Sequence, residues 1–417
     1  MTLAAPARAQ TTTAAPEPGS ELTIYVLTMS PGDEVFEKFG HNAIWVKDEY
    51  APPGYRDILY HWGIFDFDQE RFFIKYALGQ LDYSMGSFSL EREIRWYGDH
   101  QNRTVWAQEL NLTPAQRLKL RDFLRWNEQP ENATYRYNYY TDNCSTRVRD
   151  AVDNVIDGAI KKQLVSKATD TTFRWHTRRC TRGSPFWYAM LHGALGPATD
   201  RKISAWEECF LPPKLRDHLA AVRITDASGA TVPLVKSEII LYEGTRPLEP
   251  ATPPNWIPQF FLVGLAIAGL LVALARWATA TRAGRIAFAI VATLVVALIG
   301  LGAAISLWFW FGSAHWAAWR NESLLGFSPL ALPLAFLLPA LFRNRPRVHA
   351  AARYLALAIA ATTLLEILLA PLLPQNNAEP MAFILPINLA LAWCVWRLTR
   401  GQPQSQPAAV AAATKSP

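Results

Sequence analysis

The last third of the chain sets what this molecule is. From residue 257 onward it carries 11 basic and three acidic residues, against 30 and 32 in residues 1–256. Long apolar runs separate those few charges: Ile257–Ala275, Ile286–Phe311, Leu324–Phe342, Tyr354–Leu373 and Met381–Trp396. A helix needs about 20 apolar residues to cross roughly 30 Å of hydrocarbon. The first four runs meet that length and the fifth falls short of it, so about five transmembrane helices are expected over residues 257–400. Arginines alternate between the connections: Arg276, Arg282 and Arg285 after the first run, Arg343, Arg345 and Arg347 after the third, Arg397 and Arg400 after the fifth. Basic loops stay in the cytoplasm, which predicts residues 1–256 outside it and the C-terminus inside. The net charge of +6 is therefore a signature of topology, and a nucleic-acid-binding face is excluded. With 50% hydrophobic residues and four cysteines, so are disorder and a disulfide-dense mini-fold.

The sequence before the spans divides further. Ala7-Arg8-Ala9 ahead of Gln10 has the small-x-small form of a signal-peptidase site without its apolar core, so residues 1–20 read as a signal remnant and disordered N-terminus. Residues 21–243 read as an extracytoplasmic domain, residues 244–256 as a Pro-rich linker and residues 401–417 as a disordered cytoplasmic tail. Leu22–Met29, Asn42–Lys47 and Ile58–Phe65 have strand composition. Thr113–Asn127 reads as a helix capped by Thr113, with Gln116 closing a capping box and Pro114 in the first turn. A second helix is expected to start at Asp142–Asn143, with Val148, Val152 and Val155 on one face. The fold class is α+β, followed by an all-α membrane domain.

The soluble part has no G-x-S-x-G, no H-E-x-x-H and no phosphate-binding loop. Neither a metal site nor a cofactor is expected. What remains is a thiol and an imidazole. Phe39-Gly40-His41 puts His41 at the mouth of a strand, and Asp142-Asn143-Cys144-Ser145 puts Cys144 in the first turn of a helix. A helix N-terminus and a neighbouring imidazole both favour the thiolate a nucleophile needs. Spacing alone leaves Cys144 open as a buried structural thiol. An exported location permits a disulfide between Cys180 and Cys209, the alternative being two buried thiols. Glu366 is an acid within a span, where an ionisable group is costly enough to suggest function.

These runs resemble the Lnb-type bacterial lipoprotein N-acyltransferase family. The likeness lies in Ser30-Pro31-Gly32-Asp33, Phe39-Gly40-His41, Tyr137 to Arg147 with Arg149-Asp150, Asn111-Leu112-Thr113, Thr199-Asp200-Arg201, Phe210-Leu211-Pro212 and the loop holding His315, Asn321 and Leu324-Leu325. It covers most of residues 22–400. The resemblance implies a permuted papain-like (NlpC-like) periplasmic domain on an inner-membrane anchor. It also implies Cys144 as nucleophile, His41 as general base, and His61 in Tyr60-His61-Trp62-Gly63 as the group orienting the imidazole. Asn143, Ser145, Arg147, His315, Asn321 and Glu366 are the candidate substrate-binding residues. The implied reaction moves an acyl chain from a phospholipid to the N-terminal amine of a diacylglyceryl-cysteine lipoprotein. A membrane-anchored cysteine peptidase or amidase and a non-catalytic membrane receptor or assembly factor are the alternatives.

Overall fold

The structure, a computed structural model, describes residues 17–400 apart from residues 227 and 344. The signal-peptidase-like site and the C-terminal tail lie outside the described residues. The chain forms two compact units. Of the described residues, one holds those up to Phe72, Gln80–Thr171 and Lys202–Glu249; the other holds Phe73–Gly79, Thr172–Arg201 and those from Pro250 to Arg400. The division therefore differs from a single cut at residue 243. Phe73–Gly79 and Thr172–Arg201 thus group with the membrane-length helices.

The first unit is built on a seven-stranded sheet. Its strands are β1 (Leu22–Met29), β2 (His41–Asp48), β3 (Asp57–Ile64), β4 (Asp82–Ser89), β5 (Val105–Leu110), β6 (Thr134–Arg136) and β7 (Val235–Tyr242). Their order across the sheet is β7-β5-β1-β2-β3-β4-β6, and every pairing is antiparallel. Side chains alternate between faces along a strand, and both faces are covered. Leu22, Ile24 and Val26 of β1 join Ile44, Val46, Tyr60 and Trp62 in the larger core. Leu27, Met29, Ala43, Trp45 and Leu59 form a smaller core on the other face, closed by Leu90, Ile94 and Tyr97.

Two helices supply most of the larger face. In α1 (Pro114–Asn127) the Thr113–Gln116 capping box is present, with Leu120 and Leu124 buried. In α2 (Cys144–Val155) the cap is Asn143: its side chain accepts from Thr146 N while Thr146 Oγ1 accepts from Asn143 N. Val148, Val152 and Val155 are the buried stripe. The alternating Tyr135, Tyr137 and Tyr139 continue as a strand only over Thr134–Arg136, after which an isolated bridge joins Asn138 to Asp142.

Among the described residues, the second unit has four helices long and apolar enough to cross a membrane: α3 (Ile257–Ala280), α4 (Arg282–Gly312), α5 (Pro346–Leu369) and α6 (Ala378–Arg400). This corrects the expectation of five. The run that fails is the third, whose helix covers only Ala331–Leu337 before tightening to a 3-10 turn at Leu338–Ala340. Pro329, Pro333 and Pro339 remove backbone donors that a continuous helix would use. The fifth run, expected to be short, is a 23-residue helix. It begins at Ala378, and Glu379 in its first turn is buried and fully bonded. Arg178 Nη2 and Tyr188 OH donate to its two carboxylate oxygens at 2.7 and 2.6 Å, and Trp256 N adds a third bond.

Candidate active site

The centre of the sheet ends in a cluster of polar groups. Gly40 leads into β2 with φ +85°, and a Cβ there would meet Met29 O at 2.8 Å, so glycine is needed for the chain to turn into the strand beside β1. His41 follows as the first residue of β2. The β2–β3 register pairs Ala43 with His61, which places His61 on the same face as His41. The two rings lie nearly parallel with centroids 5.2 Å apart, and His41 Nε2 and His61 Nδ1 are 2.9 Å apart. Gly63 lies two residues beyond His61 on the same strand. Gly63 has φ +92°, and a Cβ built on it would stand 3.7 Å from the Cβ of Cys144.

Cys144 is buried at the first position of α2. The backbone amides of Asn42 and Ser145 favour the thiolate form of its sulfur. Through Gly63, the strand that carries His61 thus comes up against Cys144, from about eighty residues away in the chain.

Electrostatics describe the resting pair. Burial raises the Cys144 thiol above its ordinary value, and the Asn42 and Ser145 amides and the Arg103 guanidinium pull the other way. Burial, then His61 and Arg103, hold His41 well below the usual histidine range. Burial, with Arg92, takes His61 down to about 3. At neutral pH the arrangement is a neutral thiol with a neutral imidazole, which suits proton transfer during attack rather than a standing ion pair.

Four contributors to the site carry no mark in the sequence. Glu93 is buried, with Oε2 3.6 Å from His61 Nε2. Tyr97 lies parallel to both rings, with centroids 5.9 Å from His41 and 6.3 Å from His61. Arg103 is buried under the same ring, its Cζ 4.9 Å from the Tyr97 centroid, and Nε donates to Ser30 O. The backbone amide of Asn42 is the fourth. Glu93 and Tyr97 come from the helical stretch after β4 and Arg103 from the turn into β5, so only the folded sheet assembles them.

The candidate substrate-binding residues divide. Asn143 and Ser145 are held by structural hydrogen bonds. Asn143 Nδ2 donates to Tyr139 O and Phe210 O in addition to its cap, and Ser145 Oγ donates to Cys209 O at 2.7 Å. Arg147 lies over the Tyr135 ring at 4.0 Å and makes a bidentate pair with Asp142, leaving part of its guanidinium at the surface. In the second unit, Asn321 is also structural. It is buried, donates to Gly193 O, and accepts from Ser323 N and Gln375 Nε2. His315 meets Tyr76 O through Nε2 at 2.8 Å. Glu366 is buried and bonded by Asn377.

No bridge joins Cys180 to Cys209; all four cysteines are thiols. The expectation fails because the two belong to different units, and Cys209 Sγ donates to Ala205 O within the sheet unit's core. Among the described residues no group of acidic, histidine or cysteine side chains has the makings of a metal site.

A sheet domain carried in one chain with helices long and apolar enough to cross a membrane describes a membrane protein. Residues 12–179 match the family model of the Lnb N-terminal periplasmic domain, and residues 252–400 match that of the Lnb transmembrane domain. The chain belongs to the Lnb family. No curated protein and no solved structure matches it.

Proposed function

We propose that the protein is a lipoprotein N-acyltransferase working through a Cys144 thioester, with its first unit a permuted papain-like domain on the periplasmic side and its C-terminus in the cytoplasm. The observation carrying this reading is the approach of the His61 strand to Cys144 at Gly63, where a Cβ would stand 3.7 Å from the Cβ of Cys144, while His61 itself bonds His41. His41 takes the thiol proton as sulfur attacks an ester carbonyl of a membrane phospholipid. The Asn42 and Ser145 amides and the start of α2 favour negative charge on sulfur and on the oxygen of the tetrahedral intermediate. His41 returns the proton to the departing lysophospholipid alkoxide, leaving an acyl thioester. The N-terminal amine of a diacylglyceryl-cysteine lipoprotein then attacks that thioester. It loses a proton to His41, and the sulfur leaves as thiolate and is reprotonated. His61 keeps the ring of His41 turned toward sulfur, and Glu93 stands behind His61 as a buried carboxyl raised by its own burial. Water in place of the amine would make the same site a hydrolase, so the acceptor defines the function.

The test is a mass spectrum of one lipoprotein from cells depleted of other N-acylating activity. With the wild-type protein the lipoprotein gains one acyl chain. With Cys144→Ala expressed to the same level it does not. A gain with Cys144→Ala, or free fatty acid as the sole product of the wild type, refutes the reading.

A further inference from the structure

We infer that a strip of aromatic rings in the first unit holds the fatty acyl chain that Cys144 takes up from the donor lipid, an inference that rests on the proposed function for the identity of the chain. The strip begins at the nucleophile. The point where a side chain on Gly63 would start is 3.7 Å from the Cβ of Cys144 and equally 3.7 Å from Cε2 of Tyr137, and glycine leaves it empty. From Tyr137 the rings follow one another outward. Tyr83 stacks on Tyr137 with centroids 4.1 Å apart, and Phe65 lies 5.3 Å from Tyr83. Phe65 is met in turn by Phe67 at 4.7 Å and by Phe36 at 5.7 Å. Phe36 and Phe67 end the strip at the surface, 55% and 64% exposed.

Tyr83 and Tyr137 pack against the larger core, whereas Phe36, Phe65 and Phe67 belong to neither core of the sheet. Each segment that supplies the site also supplies a ring. Phe36 lies in the turn ahead of His41, Phe65 directly follows β3 with its His61, and Tyr137 precedes α2 with its Cys144. A contiguous exposed apolar patch marks a binding surface, and the charges around this one choose the occupant. Glu34 stands just before Phe36, and Asp66 and Asp68 flank Phe67, all three exposed. Carboxylates at both outer rings make insertion into bilayer hydrocarbon costly. A single hydrocarbon chain can lie along the rings while those carboxylates stay in water. It asks no hydrogen bond of the rings and gains by leaving water. The chain whose carbonyl meets the Cys144 sulfur is the transferred one, so the strip is assigned to it and not to the diacylglyceryl chains of the acceptor.

Binding is read on full-length Cys144→Ala protein in nanodiscs, so turnover plays no part. The probe is phosphatidylethanolamine carrying a diazirine on one acyl chain, and photolysis is followed by peptide mapping. With the diazirine beside the ester, the label is expected on the peptides of Tyr83 or Tyr137. With it at the chain end, the label is expected to move to those of Phe36, Phe65 or Phe67. A diacylglyceryl-cysteine peptide with diazirines at its chain ends is expected to leave the strip unlabelled. Adding Phe36→Ser and Phe67→Ser together is expected to lower chain-end labelling about tenfold, the loss of contact for roughly two methylenes, and to leave the label beside the ester in place. If the double variant does not fold, the movement of the label with diazirine position decides alone. Labelling of Phe36 and Phe67 whatever the diazirine position, which is contact with the bilayer, overturns the inference. So do an unlabelled strip, a strip labelled by the acceptor probe, and a chain-end label surviving in the folded double variant. The thioester is tested separately on the wild type: a Cys144 thioester with an unlabelled strip overturns this inference alone, and a labelled strip with no thioester overturns the proposed function.

Discussion

Replacing His61 by leucine removes the one side-chain partner seen on His41 while keeping nearly the same volume in a buried position. His41 Nε2 then loses its 2.9 Å contact in a place that water reaches poorly, since His61 itself is 3% exposed. Leaving such a buried group unpaired costs about 1–3 kcal/mol. If the loss falls on the transition state, in which His41 carries charge, kcat drops roughly 5- to 150-fold at 1.36 kcal/mol per decade. KM should stay near wild type because His61 is expected not to touch substrate. His61→Asn, which retains a hydrogen-bonding group, should recover most of the rate. The pH profile gives a second readout. The base must be unprotonated, so activity falls as pH drops through the His41 value, which lies below 6.5 in the wild type. Burial, the largest cause of that depression, persists in both variants, so the acid limb should stay below 6.5 in both. The assay is transfer of a radiolabelled acyl chain to a diacylglyceryl-cysteine peptide between pH 4.5 and 8. A leucine variant within twofold of wild-type kcat, or an asparagine variant as slow as the leucine one, would refute the reasoning.

Asn143→Ala removes a helix cap and two bonds to buried carbonyls; the combined loss is roughly 2–4 kcal/mol, read as a lowered thermal midpoint together with lost activity. Gly63→Ala forces a side chain onto a backbone at φ +92°, a strain of about 1–2 kcal/mol beside Cys144. The variant is expected to stay folded by circular dichroism and to lose more than tenfold in kcat. Denaturing the protein without reductant in the presence of a maleimide should label four cysteines, and two labels with a Cys180–Cys209 cross-link would contradict the assignment of thiols.

Local chemistry was the legible part of this molecule. Thr113, Pro114 and Gln116 announce α1, and Asn143 announces α2, because capping is settled within four residues of chain. Cys144 and His41 were visible because a thiol at a helix start and an imidazole at a strand mouth are each local arrangements. Glu93, Tyr97 and Arg103 were not, since they reach the histidines only through strand order and register. Asn143 and Ser145 looked available because they flank Cys144, but long-range partners at Phe210 O and Cys209 O occupy them. Hydropathy miscounted the spans at both ends of its range. It passed a run that three prolines break, and it marked as short a helix whose first-turn Glu379 is neutralised by Arg178 and Tyr188 from segments far away in sequence. The same distance defeated the disulfide pairing, since composition did not reveal that Cys180 belongs with the membrane helices.

The account stands or falls on whether the Cys144 sulfur carries the acyl chain. Purified full-length protein mixed with phospholipid and no acceptor should gain the mass of one acyl group, mapped by peptide analysis to Cys144 and released by neutral hydroxylamine. Full occupancy of Cys144→Ala, acylation at another residue, or an unmodified Cys144 in protein that still transfers acyl chains would contradict it.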